Sequence, residues 1–285
     1  MKLSCVIITM GTRPEELDRA IASTQVMREQ GVQLVLVGNG TDLPPAPSDV
    51  TTVRLAENRG VAGGRNAGVE ASTGDVVLFL DDDGWFSDPG LEQLVADRFA
   101  ADPRLAVLAF HIVDPTGGRG VSWHVPRLGA GDPDRSSPVT TFVGAGFAVR
   151  KSAFLEAGGL PEAFFFAHEE TDLAWQLIER GYTLEYDAGA RMSHPPVSNA
   201  RHDLWYRYDG RNRVLLARRN LPWPLAFVYL LDWTVITLVR ERSRGARATW
   251  LRGFAEGWRM DRGQRRPISY RTAWRMTRLG RPPVI

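Results

Sequence analysis

Three consecutive carboxylates, Asp81-Asp82-Asp83, end the clearest buried-strand pattern of the chain, residues 75–80 (DVVLFL). Adjacent carboxylates repel unless a positive charge sits among them, and a hard divalent cation with oxygen ligands is the natural partner. A solvated acidic turn is the other reading of the same triplet. A second acidic group, His168-Glu169-Glu170-Thr171-Asp172, opens a helical stretch with Leu173, Ala174, Leu177 and Ile178 on one face. At about 100° per residue, Glu170 falls inside that stripe and Asp172 falls opposite it. Glu170 is therefore expected to point inward, as a base or as a cap on the helix dipole, and Asp172 outward as a surface residue. A third segment, Asn58-Arg59-Gly60 through Arg65-Asn66-Ala67-Gly68, is Gly-rich and leads into a helix. Its amides could approach an anion, with Arg59 or Arg65 pairing to phosphate. A plain turn has the same composition, and the stretch lacks the position and spacing of a dinucleotide fingerprint. His194, in Ser193-His194-Pro195-Pro196, follows a strand-like stretch beyond the acidic helix. A lone histidine is usually structural, and this one is placed where a metal ligand could sit.

Positioning these groups requires a frame. Residues 3–9 (LSCVIIT) are a continuous apolar run, the pattern of a strand buried on both faces. Pro14 opens a helix bearing Leu17, Ala20 and Ile21. Residues 33–37 (QLVLV) form a second strand ended by Gly38-Asn39-Gly40, and a third lies near Thr51–Leu55. Asp88-Pro89 predicts a helix start ahead of Leu91, Leu94, Val95 and Phe99. Residues 105–113 read as a strand, 115–138 as a long loop or hairpin, and 170–180 as a helix stopped by Gly181. Strands alternating with helices predict a mostly parallel, doubly wound α/β sheet. In such sheets ligands bind beyond the carboxyl ends of the strands, the end where Asp81–Asp83 lie; Asp75, at the other end, reads as a cap. After about residue 200 the chain turns helical, Arg-rich and Trp-rich, which divides it into 1–200 and 201–285.

The 285 residues are enough for a sizeable core, and the ordinary apolar and charged fractions exclude wholesale disorder. The single cysteine, Cys5, lies in an apolar run, cannot form an internal disulfide, and reads as a small core residue in a reducing compartment. Met1-Lys2 leads directly into a strand-like run, with no secretory-signal pattern. The net charge of +2 conceals an asymmetry. Residues 201–285 hold 19 Arg and no Lys against 6 acids, a net +13, which leaves −11 on the remainder. A basic tail is a statement about partners: nucleic acid, anionic lipid or a phosphorylated substrate. No nucleic-acid motif accompanies it.

With these residues in place, the chain resembles the family-2 glycosyltransferases, inverting enzymes of the GT-A fold, and within them the bacterial rhamnosyl- and galactofuranosyltransferase branches. The resemblance covers about residues 1–200, with an echo at Tyr208–Asn212 (YDGRN). Val6-Ile7-Ile8-Thr9 with Arg13 resembles the first strand and its nucleotide-contacting turn. Asn58, Gly60, Arg65 and Asn66, together with Asn39 after the second strand, fall in the stretches that lie beside the nucleotide. Asp81 and Asp83 match the D-x-D motif, flanking Asp82; the first acid implies a ribose contact and the last a metal ligand. Gly144 and Gly146 match the strand lining the donor sugar. Glu169-Glu170 matches the acidic pair whose second member is the catalytic base, and His194 matches the metal-binding histidine of some members. Two departures stand out: Gly38 replaces a common Asp that contacts base or ribose, and Glu170 replaces an Asp. The Q-x-x-R-W motif of processive synthases is absent.

The resemblance implies transfer of one or a few sugars from a UDP-, dTDP- or GDP-linked donor, with Mg2+ or Mn2+. The acceptor is a hydroxyl on a small molecule, a glycan or a lipid-linked sugar, and nucleic acid is not expected as a partner. A sugar nucleotidyltransferase is the competing enzyme reading, but Met10-Gly11-Thr12-Arg13 is too short and has no Lys for its loop. A non-catalytic nucleic-acid binder using the basic tail is the competing class. In that tail Leu225–Val239 is apolar but, at 15 residues, shorter than the roughly 20 that cross a bilayer. It reads as a helix packed on the catalytic domain or a second subunit of a homodimer, or as a surface anchor beside Arg240, Arg242, Arg244 and Arg247. The expected location is cytoplasmic, with the anchor reading placing it at the inner face of the membrane.

Overall fold

Alternation in the first strand decides the layering. In β1 (Leu3–Thr9), Cys5 and Ile7 point to one side and Val6 to the other, and all three are buried, so both faces must be covered. A computed structural model describes residues 1–116, 124–128, 131–195 and 202–285. In it β1 sits inside an eight-stranded sheet of order β3-β2-β1-β4-β7-β5-β8-β6. The other strands are β2 (Gln33–Asn39), β3 (Val50–Leu55), β4 (Val76–Asp81), β5 (Leu105–Val113), β6 (Ser137–Pro138), β7 (Gly146–Arg150) and β8 (Thr183–Ser193).

One face is covered by α1 (Pro14–Ser23), α2 (Gln25–Glu29) and α4 (Leu91–Ala101), whose Leu17, Met27, Val95 and Phe99 meet Cys5, Ile7, Leu34 and Leu78. The other is covered by α3 (Gly60–Ala71), α5 (Lys151–Ala157) and α6 (Glu169–Glu179), over Val6, Val35, Val77, Phe79 and Phe147. The pairings β1-β2, β2-β3, β1-β4 and β5-β8 are parallel, as the strand–helix alternation predicts. β7 runs antiparallel between β4 and β5 because it returns from a long connection rather than from a crossover helix, and the short β6 also pairs antiparallel, with β8. The sheet is therefore mixed.

Three local expectations change. The helix expected from Asp88-Pro89 begins at Leu91, because Gly90 adopts φ 84 and turns the chain there. From Gly60 on, the Gly-rich stretch is the first turns of α3 itself, with Asn58 and Arg59 leading into it. Its glycines let the helix lie directly on β1: a Cβ on Gly68 would meet Val6 Cγ1 at 2.3 Å. The expected loop at 115–138 contains β6, and its residues 117–123 and 129–130 lie outside the described residues.

The boundary expected at residue 200 also lies outside the described residues. Beyond it come α7 (His202–Asn220), α8 (Trp223–Arg240), α9 (Arg244–Arg259) and α10 (Tyr270–Arg278). Val214, Leu215, Leu216 and Ala217 of α7 are fully buried and share one core with Leu173, Ala174 and Leu177 of α6. α7 and α9 touch backbone to backbone; a Cβ on Gly253 would sit 2.0 Å from Arg207 O, and one on Gly210 2.3 Å from Trp250 O. Part of the basic excess faces inward, since Arg211, Arg213 and Arg219 are all buried.

Candidate active site

β4 delivers Asp81 at the carboxyl edge of the sheet, and the turn after it separates the three carboxylates. Asp82 is buried, accepting from Thr9 Oγ1 at 2.7 Å and pairing with Arg13 Nη2 at 2.7 Å. It locks the triplet onto β1 and the turn that precedes α1. Asp83 pairs with Arg13 Nη1 and lies 3.1 Å from His194 Nε2; Asp81 Oδ2 lies 4.0 Å from the same nitrogen. His194 is held there because Trp85 and Ser193 exchange backbone hydrogen bonds of 2.9 and 2.8 Å, tying the end of β8 to the acidic turn.

Ligand atoms of Asp81, Asp83 and His194 lie within 4.8 Å of one another. His194 Nδ1 is 2.7 Å from Pro195 O, which can only accept, so the proton resides on Nδ1. In the neutral ring the Nε2 lone pair then faces two carboxylates, an arrangement that a cation completes. Two carboxylates and an imidazole suit a hard-to-borderline divalent ion. His124, which no motif in the sequence marks, is buried with its ring 6.4 Å from that of His194. Burial lowers the pKa of His124 to about 4.

Arg65 joins this cluster to the second acidic group. Its guanidinium, 3% exposed, donates from Nη2 to Asp81 Oδ1 at 2.9 Å and to Gly144 O at 2.5 Å, while Nη1 lies 3.5 Å from Glu169 Oε1. Arg65 thus pairs with carboxylates inside the protein. Arg59, the other arginine expected to face phosphate, pairs with Glu162 at 2.5 Å. Glu169 is buried and Glu170 half-buried beside it. Burial, and then the adjacent Glu169 carboxyl, pushes the Glu170 carboxyl up to about 8; burial raises that of Glu169 too, against the pull of Arg65. Such raised values mark groups able to exchange a proton near neutrality.

Asp172 is not the surface residue that its helical angle suggested. It is fully buried, accepting from Arg219 Nε at 2.9 Å and Asn220 Nδ2 at 2.5 Å. The reason is that α7 covers the flank of α6 turned away from the sheet, so both sides of α6 are interior.

The turn before α6 is strained. Phe165, Ala167 and His168, with φ of 61, 70 and 70°, are the non-glycine residues of positive φ among the described residues. Such conformations cost about 1–3 kcal/mol each and persist only where their surroundings hold them. Residues 208–213 of α7 do the holding. Asn212 Nδ2, fully buried, lies 2.9, 2.7 and 2.7 Å from the carbonyls of Phe164, Phe166 and Ala167. Arg211 Nη2 donates to Phe164 O at 2.5 Å, and the Phe165 ring stacks on Tyr208 at 5.7 Å. Asp209 receives His168 Nε2 at 2.8 Å, Arg213 Nε at 3.0 Å and Trp250 Nε1 at 2.7 Å. Burial opposes ionisation of Asp209, yet Arg213 and His168 hold its carboxyl well below the usual range. From the other side α3 presses on the turn: Gly60, at φ 71, leaves no room for a Cβ, which would lie 2.3 Å from Phe165 O. The YDGRN echo was the available signal for this clamp.

The remaining expected residues divide in two. Thr9, Arg13, Asp82 and Gly144 surround the acidic cluster, as above. Asn39 and Asn58 build the turn into α3: Asn39 Oδ1 accepts from Arg59 N at 2.9 Å, and Asn58 Oδ1 from Gly60 N at 2.8 Å. Asn66 is spent on Leu160, with bonds of 2.9 and 3.0 Å to its carbonyl and amide, so its carboxamide serves the scaffold. Gly146 is required by packing, since a Cβ there would meet Met192 Sδ at 2.2 Å.

The chain is 28% identical over 258 residues to the pre-mycofactocin glycosyltransferase of Mycobacterium tuberculosis, covering 82% of this chain and 52% of that protein. It thus spans about half the length of that relative. It is 25% identical over 217 residues to the glucosyl-dolichyl phosphate glucuronosyltransferase of Haloferax volcanii, covering 68% and 69% of the two chains. The fold is shared with the mannosyltransferase PcManGT of Pyrobaculum calidifontis, solved with GDP-Man and Mn2+, at a TM-score of 0.57 and 17% identity over 97% of this chain and 79% of that one. The glycosyl transferase family 2 model matches residues 5–158, the span that carries β1, α3, the acidic triplet and Gly144–Gly146, and the chain belongs to that family.

Proposed function

We propose that this glycosyltransferase moves a sugar from a nucleotide-diphosphate donor, UDP-, dTDP- or GDP-linked, onto an acceptor hydroxyl, with inversion and with one or a few transfers per acceptor. The observation that carries this reading is Arg65, whose one guanidinium touches both Asp81 and Glu169 and so fixes a donor-side cluster against an acceptor-side pair. In this reading Asp83, Asp81 and His194 hold Mg2+ or Mn2+, which neutralises charge on the departing diphosphate. Thr9, Arg13, Asp82 and the Asn39–Asn58 turn form the nucleotide side, and Gly144 and Gly146 the sugar side.

Glu170 takes the acceptor proton. Of the two adjacent glutamates it is the more accessible, while Glu169 is buried against Arg65. As the O–H proton passes to Glu170, the acceptor oxygen bonds to the anomeric carbon and the bond to the diphosphate oxygen breaks on the opposite face. Arg65 keeps the two acidic groups from repelling one another apart. Residues 1–200 serve as the catalytic domain and 201–285 as its helical extension, the part that clamps the base-bearing turn. The name of the Haloferax relative favours a lipid-linked sugar among the acceptors, and the buried lone Cys5 fits the cytoplasm.

The test is a thermal-shift panel of UDP, dTDP and GDP with Mg2+ or Mn2+, followed by diphosphate release from the matching nucleotide sugars. One base is expected to raise the melting temperature in a metal-dependent manner. Absence of any metal-dependent shift with all three would remove the reading.

A further inference from the structure

α8 is an 18-residue helix of mean hydropathy 1.3, yet only 17% of it is buried. Ala226, Tyr229 and Leu230 face the protein, while Trp223, Phe227, Leu231, Val235, Leu238 and Val239 are exposed, Phe227 at 70%. An apolar groove of about 340 Å³, lined by Trp223, Phe227, Leu231, Phe254 and Trp258, continues the face onto α9. At its carboxyl end stand Arg240, Arg242 and Arg244, all exposed and in no ion pair among the described residues. Glu241, the one acid among them, is occupied by Tyr206 and the Ser243 amide.

We propose that this face docks on a bilayer surface rich in anionic lipid. α8 lies in the interfacial plane, its apolar side among the acyl chains and the three arginines on the headgroups. Length alone would let about 27 Å of helix cross a bilayer, but both ends return to the same body. Leu221, just before α8, is fully buried, and Ser243 caps α9 directly after it, where α9 packs on α7. The inner flank is also committed: Tyr229 OH accepts from Arg213 at 3.0 Å, and Trp233 lies over the same guanidinium at 3.3 Å. A crossing helix would place that buried Arg213–Asp209 pair at membrane depth.

The same inner flank lines a second cavity, of about 50 Å³, where Tyr229 and Trp233 meet His168, Thr171, Arg213 and Arg281. A docked α8 therefore holds this cavity, which His168 and Thr171 at the start of the base-bearing helix also line, on the inner side of the helix that meets the membrane. That placement, which rests on the transferase reading, fits an acceptor sugar carried on a lipid.

The experiment is vesicle flotation of the full chain, with phosphatidylcholine alone and with phosphatidylcholine–phosphatidylglycerol mixtures. The wild type is expected to float with the mixed vesicles only and to be released by salt. Phe227→Asp with Leu231→Asp abolishes flotation. Arg240→Ala, Arg242→Ala and Arg244→Ala together weaken it on the order of 100-fold, at about fivefold per arginine. These exposed arginines keep the test valid if the double Asp variant misfolds, and the thermal shift given by nucleotide diphosphate, unchanged in the variants, separates this outcome from failure of the donor site. Flotation of the wild type with neither vesicle overturns the proposal. So does binding that both variants retain, or a solution dimer that Phe227→Asp dissolves in a chain that ignores vesicles.

Discussion

Asn212 touches neither the acidic cluster nor the glutamate pair, yet its replacement should disable catalysis. In Asn212→Ala, Phe164 O keeps Arg211, while the carbonyls of Phe166 and Ala167 lose the carboxamide that holds them. An unsatisfied buried carbonyl costs about 1–3 kcal/mol. Both residues are partly exposed, so water recovers some of that and a total of about 2–3 kcal/mol is expected. At about 2 °C per kcal/mol for a chain of this size, Tm falls by roughly 4–6 °C. The larger effect is positional. Three positive-φ residues relax once released, and the helix start bearing Glu169 and Glu170 moves with them; a displacement near 1 Å costs about 10²-fold in rate. The expected result is a kcat lowered roughly 100-fold with donor KM little changed. Asn212→Asp, equal in size but presenting oxygen to carbonyl oxygens, is at least as damaging. Val95→Ala, a cavity in α4 that costs about 2 kcal/mol, lowers Tm comparably and leaves kcat per folded molecule intact. Initial rates and melting curves on the three proteins decide the matter: kcat for Asn212→Ala within threefold of wild type refutes the clamp.

Asp83→Ala is expected to abolish transfer and the metal-dependent rise in Tm given by nucleotide diphosphate, with the melting curve of the free protein little altered; persistence of the metal effect would shift the ligand role to Asp82. Glu170→Gln should cut turnover roughly 10²–10⁴-fold with unchanged donor binding, and a milder loss than in Glu169→Gln would transfer the base to Glu169. Because the Glu170 carboxyl lies at about 8 in the folded protein, against 4.5 unperturbed, its contribution to stability is present below pH 4.5 and lost as pH rises through 8. The acid limb of kcat/KM should correspondingly lie well above the ordinary carboxylate range, and Glu169→Gln should move it to lower pH by removing a like charge. Gly253→Leu forces α9 off α7 and should lower Tm by more than 5 °C, roughly the effect of 3 kcal/mol of overpacking; a Tm within 1 °C of wild type would contradict the backbone contact at Arg207.

What the sequence made legible was whatever depends on local pattern. LSCVIIT, QLVLV and DVVLFL are buried strands because unbroken apolar runs of that length can be satisfied only with both faces covered, and Asp81–Asp83 had to fall at a sheet edge because they end such a run. What stayed hidden was set by neighbours remote in sequence. The helical angle of Asp172 on α6 points it outward only for a helix with one buried side, and α7, some 40 residues on, buries the other. Arg65 looked like a phosphate-binding arginine because its glycine neighbours resemble a loop. Those glycines instead bring α3 so close to β1 that the guanidinium reaches Asp81, Gly144 and Glu169. That placement explains how two acidic clusters coexist in one site: a buried cation is surrounded by acceptors that would otherwise repel one another, and the acceptors in turn make burial of the cation tolerable. The arrangement makes Arg65→Met more harmful than removal of one carboxylate. It leaves Asp81 and Glu169 facing each other without a counter-charge, so both the donor side and the base-bearing helix start are disturbed at once.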